Sequence, residues 1–183
     1  MPLLSSCKGG APIRASVKAL EVTGEKIAVS IDEGDGAVAV ALKRKIKECR
    51  AEELVMMSLK TMRCAPVFTL APNGKGICVP QLKKFILEWA HFEKIVERAN
   101  ALGGKMYRAD DATMNGGRLG KEISYDSMEG FVAANLLGVT DGSTVTRRST
   151  YYSGILAWAG IVTLHKSEGA GSYITVNAAF RGV

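Results

Sequence analysis

The stretch that most constrains the fold runs from Thr144 to Val176, TVTRRSTYYSGILAWAGIVTLHKSEGAGSYITV. Its spacing predicts one helix followed at once by a β-hairpin. Gly142-Ser143 supplies a helix start, with Asp141 or Ser143 available to cap the free amides of the first turn. Val145, Tyr152, Leu156 and Ala159 recur at helical spacing with Ile155 beside them, which leaves Arg147, Arg148, Thr150 and Tyr151 on or near the other side. Gly160 fits the position just past the helix end, where a left-handed residue is favoured. Two short β-type runs follow, IVTLHK and SYITVN, around the turn-forming SEGAG. Tyr152, Leu156 and Trp158 are assigned to the core, since aromatic residues at helical spacing usually pack.

Two further helical segments precede this one. SYDSMEGFVAANLLG, 124–138, opens on a Ser/Asp cap and closes on Leu137-Gly138, and the short link VTDGS suits a tight corner between helices. QLKKFILEWAHFEKIVERANALGG, 81–104, is the longest periodic stretch, with Leu82, Phe85, Ile86, Trp89, Phe92, Ile95, Val96 and Ala99 as its apolar stripe. Helix, helix, turn, helix, hairpin, with paired arginines and hydroxyls on the last helix, resembles the winged-helix family of DNA-binding domains over residues 81–177. The resemblance implies a recognition helix at about 144–159 with the hairpin as its wing, in the manner of regulators and of the target-recognition parts of restriction endonucleases. GRLGKEIS is the candidate for the small third strand such folds carry.

The N-terminal part has a different texture. SVKALEV, KIAVSI and AVAVALKRKI alternate apolar and other residues around TGE and DEGDG, so KIAVSIDEGDGAVAVALKRKI reads as a hairpin. ECRAEELVMMSLKTM reads as a helix, and CAPVFTL-APNGKG-ICVP as a second hairpin. The first dozen residues form a loose Gly/Ser/Pro lead-in. The expectation is therefore an α+β protein in two parts: a β-rich N-terminal module, residues 1–80, and a C-terminal winged-helix domain, residues 81–183, divided near Pro80.

Charge bears on the partner. Among 183 residues, 24 Lys and Arg against 18 Asp and Glu give a net +6 and a pI of about 9.2. A modest basic excess suits a polyanion, nucleic acid first. The densest basic cluster is Lys43, Arg44, Lys45, Lys47 and Arg50, which reads either as a solvated surface or as a phosphate-contacting patch. No segment approaches the roughly 20 continuous apolar residues needed to span a bilayer, and MPLLSSCKGG lacks the pattern of a secretory signal. Cys7, Cys49, Cys64 and Cys78 have wide, uneven gaps and no CxxC pair, so no metal site or disulfide framework is expected and a cytoplasmic setting is.

The DNA-contacting candidates follow from this. Arg147 and Arg148 carry guanidinium groups able to bond guanine edges or phosphates. Thr144, Thr146, Thr150 and Tyr151 offer short donors or a stacking ring beside them. Lys166 lies near the wing tip, and Arg118 and Lys121 form a basic loop with the neighbouring glycines. Lys43, Arg44 and Lys45 would add phosphate contacts.

Catalysis has no motif to rest on. Asp32, Glu33 and Asp35 lie in a Gly-rich turn and Asp110-Asp111 in a loop, where acids occur for conformational reasons. No Asp is followed at a suitable distance by Glu-x-Lys. His91 and His165 leave few options for imidazole chemistry, and neither GKGICVP nor MNGGRLGK has phosphate-loop spacing. The expected function is non-catalytic binding of double-stranded DNA, with no cofactor and no metal, within a larger polypeptide or a homodimer. Two alternatives stand beside it: a winged-helix face that binds protein, or a metal-dependent nuclease whose acids converge only in the fold.

Overall fold

The computed structural model describes residues 29–48, 69–166 and 171–183. The strands expected before residue 29, residues 49–62 of the helix expected over 48–62, the hairpin tip 167–170 and Arg50 lie outside them. The described chain is a mixed α and β structure. Its elements are α1 (Ala37–Glu48), β1 (Thr69–Leu70), β2 (Gly76–Cys78), β3 (Ile86–Glu88), α2 (Trp89–Ala101), β4 (Lys105–Tyr107), α3 (Asp110–Met114), α4 (Met128–Phe131), α5 (Ser149–Trp158), β5 (Val162–His165) and β6 (Tyr173–Val176).

The first departure from expectation is α1, a helix where alternation predicts a strand. Its buried residues are Val38, Ala39, Leu42, Lys43 and Ile46, which is helical spacing. Period 2 holds only over the four residues Ala37–Val40; the next six are mostly Ala, Leu, Lys and Arg, good helix formers. Asp32–Asp35 forms the expected turn, closed by Asp35 N–H on the Asp32 carbonyl at 3.0 Å.

β1 and β2 pair antiparallel as expected, and β2 pairs antiparallel with β3, Ile77 facing Leu87. The strand β3 corrects the reading of 81–104 as one helix. Lys83 adopts a left-handed backbone, φ 56°, which no helix interior accommodates, and the extended Glu88 sets the helix start at Trp89. Gly76 is required at this crossing: a Cβ there would overlap the Leu87 carbonyl. The boundary expected near Pro80 thus falls between two hydrogen-bonded strands. A single hydrophobic cluster joins Leu42 and Ile46 of α1 to Phe92, Ile95 and Val96 of α2, to Tyr152, Ile155 and Leu156 of α5, and to Met106, Ile174 and Val176 of the second sheet.

That second sheet has the order β4-β6-β5, all antiparallel. β5 and β6 are the predicted hairpin, with Val162 opposite Val176 and His165 opposite Tyr173. Its third strand is Lys105–Tyr107, not GRLGKEIS, which forms only the isolated bridges Arg118↔Thr144 and Leu119↔Ile123. Met106, Ile174, Val176 and Val162 point inward and are buried, while the alternate residues face out.

The 124–138 segment begins its helix at Met128, where the Ser127 hydroxyl accepts the Gly130 N–H at 3.1 Å. It widens into a π-helical turn over Val132–Leu136 and ends at Gly138, φ 64°. α5 starts at Ser149, five residues later than expected. Of the two expected caps, Asp141 instead accepts the Tyr125 hydroxyl at 2.6 Å and the Ser143 hydroxyl bonds that of Thr140 at 2.9 Å, and Val145 is drawn into a small apolar cluster with Leu119, Ile123 and Ala133. The helix ends as predicted. Gly160 has φ 73°, its N–H reaches the Ala157 carbonyl at 3.0 Å, and Ile161 N–H reaches Leu156 at 2.9 Å, the paired bonds of a Schellman end.

Candidate nucleic-acid interface

Backbone pairing gathers several of the predicted contact residues. Leu119 N–H donates to the Ser143 carbonyl at 3.0 Å, Gly142 N–H to Leu119 at 2.9 Å and Val145 N–H to Gly117 at 3.2 Å. The Leu119, Ile123, Ala133 and Val145 side chains lie beneath these bonds, so the polar neighbours are turned outward. Arg118, Lys121, Thr144 and Thr146 are exposed and Arg147 is half-buried beside them. Glu122 also belongs to this strip; its carboxylate accepts the Arg118 N–H at 2.9 Å, and that bond holds its pKa below the usual range.

The strip runs directly into α5, whose first turn is closed from outside the helix. Glu129, fully buried, accepts the Arg148 N–H at 2.9 Å, the Ser149 N–H at 3.0 Å and the Ser149 hydroxyl at 2.8 Å. Burial pushes its carboxyl pKa up, opposed by those bonds. Arg108 is buried nearby, at 1% exposure, and donates to Asp110 Oδ2 at 2.8 Å and Thr150 Oγ1 at 3.0 Å. Burial lowers its pKa, with Asp110 and Glu129 opposing. The Arg148 guanidinium lies over the Phe85 ring at 4.8 Å, half-buried, with Nη1 donating to the Arg147 carbonyl at 3.2 Å.

The remaining candidates are scattered. Thr150 and Tyr151 are buried, as is every residue of α5 from Ser149 to Leu156. The helix expected to present hydroxyls and arginines to a groove is therefore a core helix, and its apolar residues occupy more than one face. Burial pushes the Tyr151 pKa up. Lys43 is also buried, its ammonium 2.6 Å from Asp35 Oδ2 and 5.6 Å from the Trp89 ring centre, so it is committed inside the molecule. Arg44 is exposed and Lys45 half-buried on α1, and Lys166 is exposed at the end of β5.

The acids weighed for catalysis are engaged as well. Burial works to raise the Asp35 pKa, but the Lys43 hydrogen bond and charge hold it low. Asp110 lies at the start of α3, tied to Arg108 and to the Ser172 hydroxyl at 2.6 Å. Among the described residues no three His, Cys, Asp or Glu side chains converge on a metal-sized site. His91, expected to pack, is half-buried with Nδ1 2.8 Å from the Tyr152 hydroxyl, and burial lowers its pKa. Cys78 is a free thiol.

Sequence reasoning passes over three residues on the outer face of the second sheet, Lys105, Tyr107 and Tyr173. The alternation in Lys105-Met106-Tyr107 and in Tyr173-Ile174-Thr175-Val176 is the signal that would place them there. No helix of the described residues is long and apolar enough to cross a membrane. No family model, no curated protein and no solved structure matches the chain.

Proposed function

We propose that this chain binds double-stranded DNA through a winged-helix arrangement spanning α2 to β6. The observation that supports the reading is the order of parts: helix α2, the helical segments α3 and α4, helix α5, then the β5–β6 hairpin, with the short strand β4 alongside it. The basic strip Arg118, Lys121, Thr144, Thr146 and Arg147 adds cations and hydroxyls next to the entry of α5. Because α5 itself is buried, the contacts in this reading come from the strip leading into it, with phosphates as the principal partners. Phosphate contacts supply sequence-independent affinity that declines with salt.

The test is fluorescence anisotropy with a mixed-sequence duplex over a salt series, for the wild type and for Arg118→Ala/Arg147→Ala. The expected result is binding that weakens steeply with salt, and a log–log slope shallower by about 2 in the double variant. No duplex binding at low salt, or a double variant with the wild-type slope, overturns the reading.

A further inference from the structure

The outward face of the β4-β6-β5 sheet carries two cross-strand rows. The first is Tyr107, Tyr173 and His165, in register across the three strands; the second is Lys105, Thr175 and Thr163. Tyr107 is 40% exposed. The His165 and Tyr173 rings are stacked, 4.5 Å apart and 6° from parallel, and Tyr107 meets Tyr173 edge-on at 5.7 Å. Lys105 Nζ lies 4.1 Å from the centre of Tyr173 and 4.7 Å from that of Tyr107. The His165 ring is fixed by Nε2 at 2.9 Å from the Thr175 hydroxyl. A sheet face turned to water has no core reason to hold three rings in one row.

Charge identifies the occupant. None of the six outward residues is acidic, and a further cation stands beyond the Lys105 row. Exposed Arg181 donates from Nε to the Val176 carbonyl at 3.2 Å, beside Gly104. Asp110, at the Tyr173 end, is neutralised by Arg108 and held by Ser172. Tyr173, on the middle strand, has His165 stacked on one face and Lys105 Nζ over the other. The faces left for bases are therefore those of Tyr107 and His165 at the two edges of the row, and the cations spaced along the strand direction match phosphates between them. A duplex hides its base faces in the stack, so the rings require unpaired bases. An apolar protein surface is a poor match for a face that is half Lys and Thr.

We propose that this sheet face is a stacking platform for single-stranded nucleic acid, with bases on Tyr107 and His165, Tyr173 held between them, and phosphates at Lys105 and Arg181. The surface uses different residues from the duplex strip and stands or falls independently of it.

The experiment titrates the full chain into fluorescein-labelled oligothymidylate and oligodeoxyadenylate of about 12 nucleotides, a length within single-strand site sizes. The wild type binds both. Tyr107→Leu and His165→Leu, which keep apolar bulk but lose the π-face, each weaken binding by about 5- to 100-fold. Tyr107→Phe and Tyr173→Phe bind as the wild type does. Lys105→Gln, which removes no packed ring, weakens binding and lowers the salt slope by about 0.7, a readout that stands even where a leucine variant unfolds. Arg118→Ala/Arg147→Ala leaves oligonucleotide binding in place whatever it does to duplex binding. The proposal is overturned by absence of wild-type binding at low salt, by leucine variants or Lys105→Gln that match the wild type, or by loss of binding in the phenylalanine variants, which would assign the contact to the hydroxyls.

Discussion

Replacing Glu129 by alanine removes the cap of α5 and leaves three donors, the Arg148 and Ser149 N–H groups and the Ser149 hydroxyl, where the carboxylate stood. Each donor left unsatisfied in a buried site costs about 1–3 kcal/mol. Part of that is returned because a buried carboxylate no longer has to be desolvated. The net expectation is a loss of about 3–5 kcal/mol, a large share of the ~5–15 kcal/mol that holds a domain together, and a melting temperature lower by about 10 °C. Glu129→Gln keeps one acceptor oxygen but turns an NH2 toward donors, so about 1–2 kcal/mol is expected.

The pH dependence reports how far burial of the carboxyl outweighs its capping bonds. Burial raises the folded-state pKa of Glu129 above its ordinary 4.5. Its contribution is therefore full below the unfolded pKa and declines as pH rises through the folded one. Urea unfolding followed by circular dichroism, at intervals from acid to neutral pH, gives both quantities. The wild type should lose stability relative to Glu129→Gln as pH rises above about 4.5. A Glu129→Ala penalty under about 1 kcal/mol, or parallel wild-type and Gln profiles, would refute this account of the helix start.

Two further perturbations probe the frame around the interface. Lys43→Ala leaves Asp35, 12% exposed in its side chain, without its ammonium; a loss of about 3 kcal/mol is expected by urea unfolding. Because the Asp35 pKa is depressed, the pair's contribution is present above the ordinary 3.8 and lost as pH falls through the folded value, so the variant should show a flatter acid limb. Gly130→Ala drives a Cβ into the Ser124 carbonyl and should cost about 1–3 kcal/mol by thermal unfolding, whereas Ala134→Gly in the same segment should cost no more than about 1 kcal/mol.

The legible parts of the chain are those whose signals are local. Val162–Val176 alternates cleanly, Gly160 marks a left-handed end, and APNGKG turns a short hairpin. The misread parts depend on partners distant in sequence. Ile86–Glu88 carries the apolar spacing of a helix, yet β2 lies alongside to pair with it. Ala37–Val40 alternates like a strand, yet α2 offers a face that only a helix can fill. The basic strip is half-legible: Arg118 and Thr144 are recognisable as exposed polar residues, but nothing local says that they bridge. Thr150 and Tyr151 sit opposite the chosen apolar stripe in projection. Thr150 is buried because Arg108 comes in from elsewhere to meet it, and Tyr151 because it joins the main hydrophobic cluster.

The carboxylates that close the first turns of α1 and α5 both belong to other segments: Glu93 accepts the Ala39 N–H at 2.7 Å, and Glu129 does the same service at Ser149. A helix of 10 residues such as α5 is too short to persist alone in water, and here it lacks even its own initiation signal. Its formation must wait on docking of the 128–136 segment, which couples the two in one cooperative step. Amide exchange in α5 should accordingly track that of Met128–Leu136, and neither should open without the other. A peptide cut to span only Thr144–Gly160 would be expected to remain a coil.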